Sequence, residues 1–370
     1  MIRDESTDQS DEILARRGEF VPPALDGFAQ EISLSAADWR VAMKVAIRSS
    51  SQLRSLLGLT PENSGNGGDH SREEPNLLPS EQDFPTFVPL EFLSRIRPGD
   101  PSDPLLRQVL PVSAEDLDSP GFTADPVGDL KMMPATGVLH KYEGRALLIT
   151  TGACGVHCRY CFRREFPYTD ASANGKSVES ALAYLSEHEE IEEVLLSGGD
   201  PLTLVDERLQ SIVDGIATHS HVKRLRVHTR MPIVIPQRVT SSLIKLFAET
   251  RLVTWFVVHV NHPRELDHHV LDHIGRLVDA GIPVLNQAVL LRGVNDSVEV
   301  LEELCEKLIN HRIQPYYLHQ LDRVRGASHF EVSVDRGLQI MQALRERLPG
   351  YAVPKYVVEQ AGEKSKTPVV

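Results

Sequence analysis

Residues 146–162 read Ala146-Leu-Leu-Ile-Thr-Thr-Gly-Ala-Cys154-Gly-Val-His-Cys158-Arg-Tyr-Cys161-Phe162. The apolar and β-branched run at 146–151 has the character of a buried strand, and it feeds directly into three cysteines within eight residues, spaced CxxxCxxC. Thiolates are soft ligands suited to zinc or to an iron–sulfur cluster, and a loop of this length can aim all three at one centre. Three ligands do not fill the four cysteine positions of a fully protein-bound 4Fe–4S cluster. One iron is then left open for a small molecule, as a catalytic site requires. A zinc knot lacking its fourth ligand and a disulfide pair are the plainer readings of the same residues.

From residue 145 onward, strand and helix patterns alternate. Runs at 146–151, 193–197, 225–229, 253–260, 283–290 and 314–319 read as buried strands. Helical patterns follow them near 177–188, 207–219, 241–250, 265–280, 297–311 and 334–348. The fourth helix shows its period best: Leu266, Val270, Ile274, Leu277 and Val278 share a face, and Gly281 followed by Pro283 ends it. Six βα units in series imply a parallel sheet with right-handed crossovers. Polar, glycine- or proline-bearing motifs follow nearly every strand: the cysteine loop, Ser197-Gly-Gly-Asp-Pro, His228-Thr-Arg-Met-Pro, His259-Val-Asn-His-Pro, Arg292-Gly-Val-Asn-Asp and His319-Gln-Leu-Asp. Chemistry spread over all strand C-termini belongs to a barrel-type face, whereas a doubly wound sheet gathers its site at one switch point. The expected fold is therefore α/β, a partial (βα)6 TIM-like barrel with a mainly helical N-terminal extension and a docked C-terminal tail.

The domain organisation follows. Residues 1–84 divide into a polar N-terminus, a helical stretch near 34–59 and a segment of linker composition at 61–79. Residues 85–140 form an extension packing on the barrel, 141–350 the barrel, and 351–370 a terminal strand and lysine segment. The chain ends Glu359-Gln-Ala-Gly362-Glu-Lys364-Ser-Lys366-Thr-Pro-Val-Val370. A terminal lysine is ordinarily a solvated tail, but the apolar run at 351–358 leads into this one, so the segment is expected to dock.

Taken in order, the cysteine loop, Ser197-Gly-Gly-Asp-Pro-Leu202, Asn261-His-Pro, Val289-Leu-Leu-Arg-Gly-Val-Asn-Asp296 and Gly362-x-x-x-Lys366-Thr-Pro-Val resemble the lysine 2,3-aminomutase family of radical S-adenosylmethionine (SAM) enzymes. The resemblance covers about residues 85–370. It implies a 4Fe–4S cluster on Cys154, Cys158 and Cys161, with SAM at the open iron. Ser197, Gly198, Gly199 and Asp200 fall where the family meets SAM; alone, Gly198-Gly199 is more often a turn, though it also lets a backbone with open N–H groups approach a ligand. His259 and Gln287 align with further SAM contacts, and each equally fits a group satisfying buried polar atoms. Pyridoxal phosphate is implied at Lys366; Lys364 is the near competitor, with neighbours that do not match. Lys141, Tyr142 and Arg145, placed just before the first strand, resemble the phosphate-binding segment. Lysine in place of the family's first arginine keeps the charge and loses the bidentate fork.

For the substrate, the resemblance assigns the carboxylate to Arg163, a fork-shaped partner, while Arg164 reads as a surface charge. The distal ammonium falls to Asp322, in Tyr317-Leu-His-Gln-Leu-Asp322, and to Glu359, where the family carries aspartate. The added methylene bears on substrate length and stereochemistry while still favouring a cationic amino acid. Larger family members bind zinc through a cysteine at the position of Ser297 and through cysteines in a C-terminal extension; neither occurs here, so no zinc is expected. The segments Pro98-Gly-Asp-Pro-Ser-Asp-Pro and Pro120-Gly-Phe-Thr-Ala-Asp-Pro126 resemble the short branch that makes β-lysine for elongation factor P.

The implied partners are L-lysine, a ligase that transfers β-lysine to elongation factor P, and a flavodoxin- or ferredoxin-type electron donor; a homo-oligomer is left open. Net charge of −13 with no basic stripe argues against nucleic-acid binding. No run approaches membrane-spanning length, and four cysteines, of which Cys305 stands alone as a small buried hydrophobe, fit a reducing cytoplasm. Two rivals stand beside this expectation: an aminomutase acting on free lysine or another amino acid in catabolism or osmolyte synthesis, and a non-enzymatic iron–sulfur or zinc module.

Overall fold

The computed structural model describes residues 38–59, 78–168 and 175–370. The polar N-terminus and positions 61–77 of the expected linker lie outside the described residues. Its last two residues belong instead to a short helix, Pro79–Asp83, with Leu78 as N-cap and proline at the first helical position, where no N–H is needed.

Among the described residues nine strands form one sheet in the order of the sequence: β1 (Val138–Tyr142), β2 (Arg145–Thr151), β3 (Glu193–Gly198), β4 (Arg224–Thr229), β5 (Val253–His259), β6 (Val284–Val289), β7 (Ile313–His319), β8 (Lys355–Val358) and β9 (Thr367–Pro368). Strands β2 to β8 pair parallel, while β1 and β9 pair antiparallel at the two edges. The order never reverses, so the sheet has no switch point of the doubly wound kind. Six helices complete the βα units: α1 (Gly175–Glu187), α2 (Asp206–Ala217), α3 (Ser241–Glu249), α4 (His268–Asp279), α5 (Val298–Asn310) and α6 (Val334–Arg347). The architecture is a partial (βα)6 barrel extended at both edges.

Helix α4 illustrates why the pattern was readable. Asp267 caps it by accepting the Val270 N–H at 2.8 Å, its Val270, Ile274 and Leu277 are fully buried, and Gly281 leaves at φ +81°. It begins later than the periodicity suggests because Pro263–Glu265 makes a separate 3-10 turn. Thr240, Ser297 and Ser333 cap α3, α5 and α6 in the same way, so the serine at 297 has a structural task.

The edges correct the sequence reading. Lys141, Tyr142 and Arg145 do not precede the first strand; they lie in the β1–β2 hairpin, turned at Gly144 with φ +76°. The terminal strand is shorter than the apolar run, since Gly350–Ala352 forms a 3-10 turn before β8. β1 and β9 are not paired with each other, but the Tyr142 hydroxyl donates to Glu359 Oε1 at 2.6 Å, joining the two margins through side chains.

The extension packs across the barrel. Trp39 stacks on the buried Arg238 guanidinium at 4.5 Å, and Ile47 bridges to Val88. From this layer Gln108, Glu115 and Asp129 reach the strand C-termini, so it contributes side chains to the site as well as covering it.

Candidate active site at the strand C-termini

The cysteine loop leaves β2 and is fixed by backbone bonds to the extension, His157 N–H to Phe87 O at 3.0 Å and Arg159 N–H to Gln108 O at 2.8 Å. Arg159, fully buried, clamps Glu115 through Nε (3.0 and 3.2 Å) and Nη2 (2.6 Å), and Arg164 reaches the same carboxylate at 2.8 Å. Arg164, with its side chain 5% exposed, is thus an anchor for the loop, contrary to its reading as a surface charge. Leaving either guanidinium without Glu115 costs far more than an exposed ion pair.

The Gly198-Gly199 pair packs against this loop. Gly198 adopts φ +119°, and a Cβ would lie 2.5 Å from Thr151 O; at Gly199 a Cβ would lie 2.2 Å from Ala153 O. The Gly199 N–H donates to Thr151 O and the Asp200 N–H to Ala153 O, both at 2.7 Å. These N–H groups are therefore not open to a ligand, contrary to the sequence reading; the glycines are required because two backbones touch. The Asp200 carboxylate accepts from the Thr229 hydroxyl (2.7 Å) and from the N–H groups of Arg230 (2.6 Å), Met231 (3.1 Å) and Leu202 (3.0 Å), tying the loops after β3 and β4. Asn261 and Asn295 likewise knit the loops after β5 and β6.

Cys154, Cys158 and Cys161 are free, half-buried thiols lining one cavity of about 580 Å³, a size that suits small-molecule ligands. Burial raises the Cys154 and Cys161 thiols, Cys161 to about 11, and each is raised further by neighbouring cysteine sulfur. Three soft thiolate donors on one cavity match the donor set of an iron–sulfur cluster with one iron left to a small molecule.

At the opposite margin, β8 and β9 form a hairpin. Its connecting loop begins at Glu359 and ends at Lys366, and the two meet, with Nζ donating to Oε2 at 2.7 Å, while Lys364 is exposed. Glu359 also accepts from Tyr142 at 2.6 Å and lies 3.5 Å from Lys141 Nζ. Burial pushes its carboxyl up, but Lys366, Tyr142 and Lys141 outweigh this and hold it below the usual range. Lys141 Nζ also donates to Val127 O (2.8 Å) and pairs with Asp129 (2.6 Å), whose other oxygen accepts from Arg163 Nε at 2.7 Å. Arg163 Nη1 lies 3.4 Å from Ser197 Oγ, and Arg145 stacks on Tyr142 at 4.3 Å. Cys154, Arg163, Tyr142, Asp322, Glu359 and Lys366 all face the one cavity.

Burial raises the Asp322 carboxyl to about 7, with Lys366 opposing the shift and Glu359 adding to it. Burial lowers His259 to about 3; its Nε2 meets the Tyr160 hydroxyl at 2.9 Å, and Gln287 lines the cavity beside it. His228 and His319 also line the cavity, each with a buried Nε2 that has no hydrogen-bond partner among the described residues. Such orphaned atoms around Lys366 fit a site built for a polar ligand. The sequence did not single out Asp129, because nothing local marks its two cationic partners. His228 and His319 lay within quoted motifs and acquire meaning only through this shared cavity.

The Radical SAM superfamily profile matches residues 148–305. The chain is 41% identical to the L-lysine 2,3-aminomutase of Escherichia coli over 90% of its own length and 95% of the relative's. It is 45% identical to that of Haemophilus influenzae, covering 77% of this chain and 84% of the relative. Against the Clostridium subterminale L-lysine 2,3-aminomutase the identity is 35%, over 90% of this chain and 78% of that one. A radical SAM methyltransferase structure from Sphaerobacter thermophilus superposes on 60% of this chain and 68% of its own, at 19% identity and TM-score 0.45.

Proposed function

The chain belongs to the L-lysine 2,3-aminomutase family of radical SAM enzymes, which use a 4Fe–4S cluster, SAM and pyridoxal phosphate, and we propose that it isomerises L-lysine to β-lysine with pyridoxal phosphate held at Lys366. The observation that carries this reading is the 2.7 Å Lys366–Glu359 pair in the cavity that also holds the three free cysteines. A solvated terminal lysine has no need of such a partner.

When bound, the cluster and SAM supply one electron and a 5′-deoxyadenosyl radical, and pyridoxal phosphate delocalises the unpaired electron beside the migrating nitrogen. The protein's task is alignment and exclusion of water. Cys154, Cys158 and Cys161 hold the cluster. Ser197, Gly198, Gly199 and Asp200 shape the SAM side of the cavity, the glycines by holding β3 against the cysteine loop, with His259 and Gln287 beside them. Lys366 presents the attachment amine, and Glu359 fixes its position. Lys141, Tyr142 and Arg145 surround the phosphate with positive charge and a hydroxyl. Arg163 is gripped by Asp129 through Nε, which leaves its outer edge for the substrate carboxylate. Asp322 takes the distal ammonium together with Glu359, whose charge acts on it across the same cavity, and the ammonium returns the raised Asp322 carboxyl to its ionised form.

Borohydride reduction of the pyridoxal-loaded enzyme, followed by peptide mass spectrometry, tests the attachment. Label on Lys366 supports it, label on Lys364 moves the site, and absence of label removes it. The higher identity to the E. coli relative, 41% against 35% for the Clostridium one, supports the short branch, and with it (R)-β-lysine as a substrate for the ligase that modifies elongation factor P. A mass shift on elongation factor P when enzyme and ligase are supplied together, and none when this enzyme is omitted, is the expected outcome. An electron donor of flavodoxin or ferredoxin type completes the system.

A further inference from the structure

Arg230 is the central residue of the motif His228-Thr-Arg230-Met-Pro at the end of β4 and takes no part in the roles above. Its guanidinium, 7% exposed, donates through Nη1 to Cys158 Sγ and to the Tyr160 hydroxyl, each at 2.7 Å. Through Nη2 it donates to Gln108 Oε1 at 2.7 Å and to Glu265 Oε2 at 2.8 Å. Glu265 is fully buried, and its other oxygen accepts from the Asn261 and His262 N–H groups at 3.0 Å and from Gln108 at 3.1 Å. The backbone N–H of Arg230 is fixed on Asp200 at 2.6 Å. A cation is thus held immobile from three elements and aimed at one cysteine sulfur.

We propose that Arg230 is a positioning residue that sets the reduction potential of the cluster, acting through its hydrogen bond to the Cys158 sulfur and held in place by Glu265 and Gln108. The inference rests on the cluster assignment. Hydrogen bonds and charge at the ligand sulfurs are among the factors that set such potentials. One-electron reduction adds a negative charge to the cluster, and a fixed guanidinium at a ligand sulfur favours that state. The electron comes from an external low-potential donor.

Two variants separate this role from simple packing. Arg230→Gln combined with Glu265→Gln removes both buried charges together, so no lone charge is left behind. Arg230→Lys keeps the cation but replaces the fork with a single ammonium. Each is reconstituted anaerobically, its iron and sulfide are counted, and the cluster is titrated by electron paramagnetic resonance against redox mediators. The double variant should hold a full cluster with a more negative midpoint, changing the reduced-to-oxidised ratio at fixed potential about tenfold, or ~59 mV for one electron. The lysine variant should fall between it and the parent. A fully loaded double variant with an unchanged midpoint overturns the proposal. So does loss of the cluster from both variants with circular dichroism intact, which would make Arg230 a brace of the loop. A parent chain that takes up no four-iron centre would instead remove the cluster assignment itself.

Discussion

Lowering the pH from 8 to 6 should weaken L-lysine binding about tenfold, because Asp322 must lose a proton before it can accept the substrate's distal ammonium. Burial lifts this carboxyl to about 7 in the folded chain. It is then ~90% ionised at pH 8 and ~10% at pH 6, while the side-chain ammonium of free lysine stays charged across the window. The ratio of competent populations is about ten, or ~1.4 kcal/mol. The sign follows from the raised value: affinity is lost on the acid side, as pH falls through about 7, and recovered above it. Asp322→Asn keeps the shape and removes the charge. Its affinity should be nearly flat between pH 6 and 8, and weaker than the parent's at pH 8 by about 10- to 150-fold, as loss of a charge-assisted bond worth roughly 1.5–3 kcal/mol requires. Calorimetric titration of the anaerobic holoenzyme, repeated in buffers of different ionisation enthalpy, reads both the constant and the proton released. Equal affinity at pH 6 and 8 in the parent, or the same pH slope in the asparagine variant, would refute the role given to Asp322.

Gly199→Ala sets a Cβ 2.2 Å from the Ala153 carbonyl, so iron per chain after reconstitution should fall by more than half, and full loading would show that the loop has room to move. Glu359→Asp shortens the reach to Lys366 and Tyr142; turnover or product chirality should change, and unchanged kinetics with unchanged chirality would separate Glu359 from the substrate pocket. Asp129→Asn leaves Lys141 and Arg163 without their shared carboxylate, and denaturant unfolding should report about 3–5 kcal/mol lost. A loss below ~1 kcal/mol would mean that solvent screens both cations.

The six central strands were legible because buried parallel strands are short continuous apolar runs, and each of their ends lies within one residue of its expected position. β1 was not: its Val138-Leu-His-Lys-Tyr142 is mixed in polarity, as an edge strand permits, and the turn at Gly144 looks like loop. The glycine pair after β3 marked the right place for a different reason, since sequence does not tell whether an N–H is open or already bonded to another loop. Glu359 and Lys366 stood out by spacing and resemblance, yet their contact depends on a hairpin whose second strand is two residues long. Asp129, Gln108 and Glu265 carry no local signature. Each becomes a site residue only when the extension and the 3-10 turn after β5 bring it to a guanidinium, and that is tertiary information.

Anaerobic turnover with L-lysine tests the central claim most directly. The enzyme is supplied with iron, sulfide, SAM, pyridoxal phosphate and a strong reductant, and the product is resolved on a chiral column. The account predicts β-lysine formed in many turnovers per SAM consumed, with none from Cys158→Ala or Lys366→Ala. Reductive cleavage of SAM without β-lysine, or β-lysine formed undiminished by either variant, would contradict it.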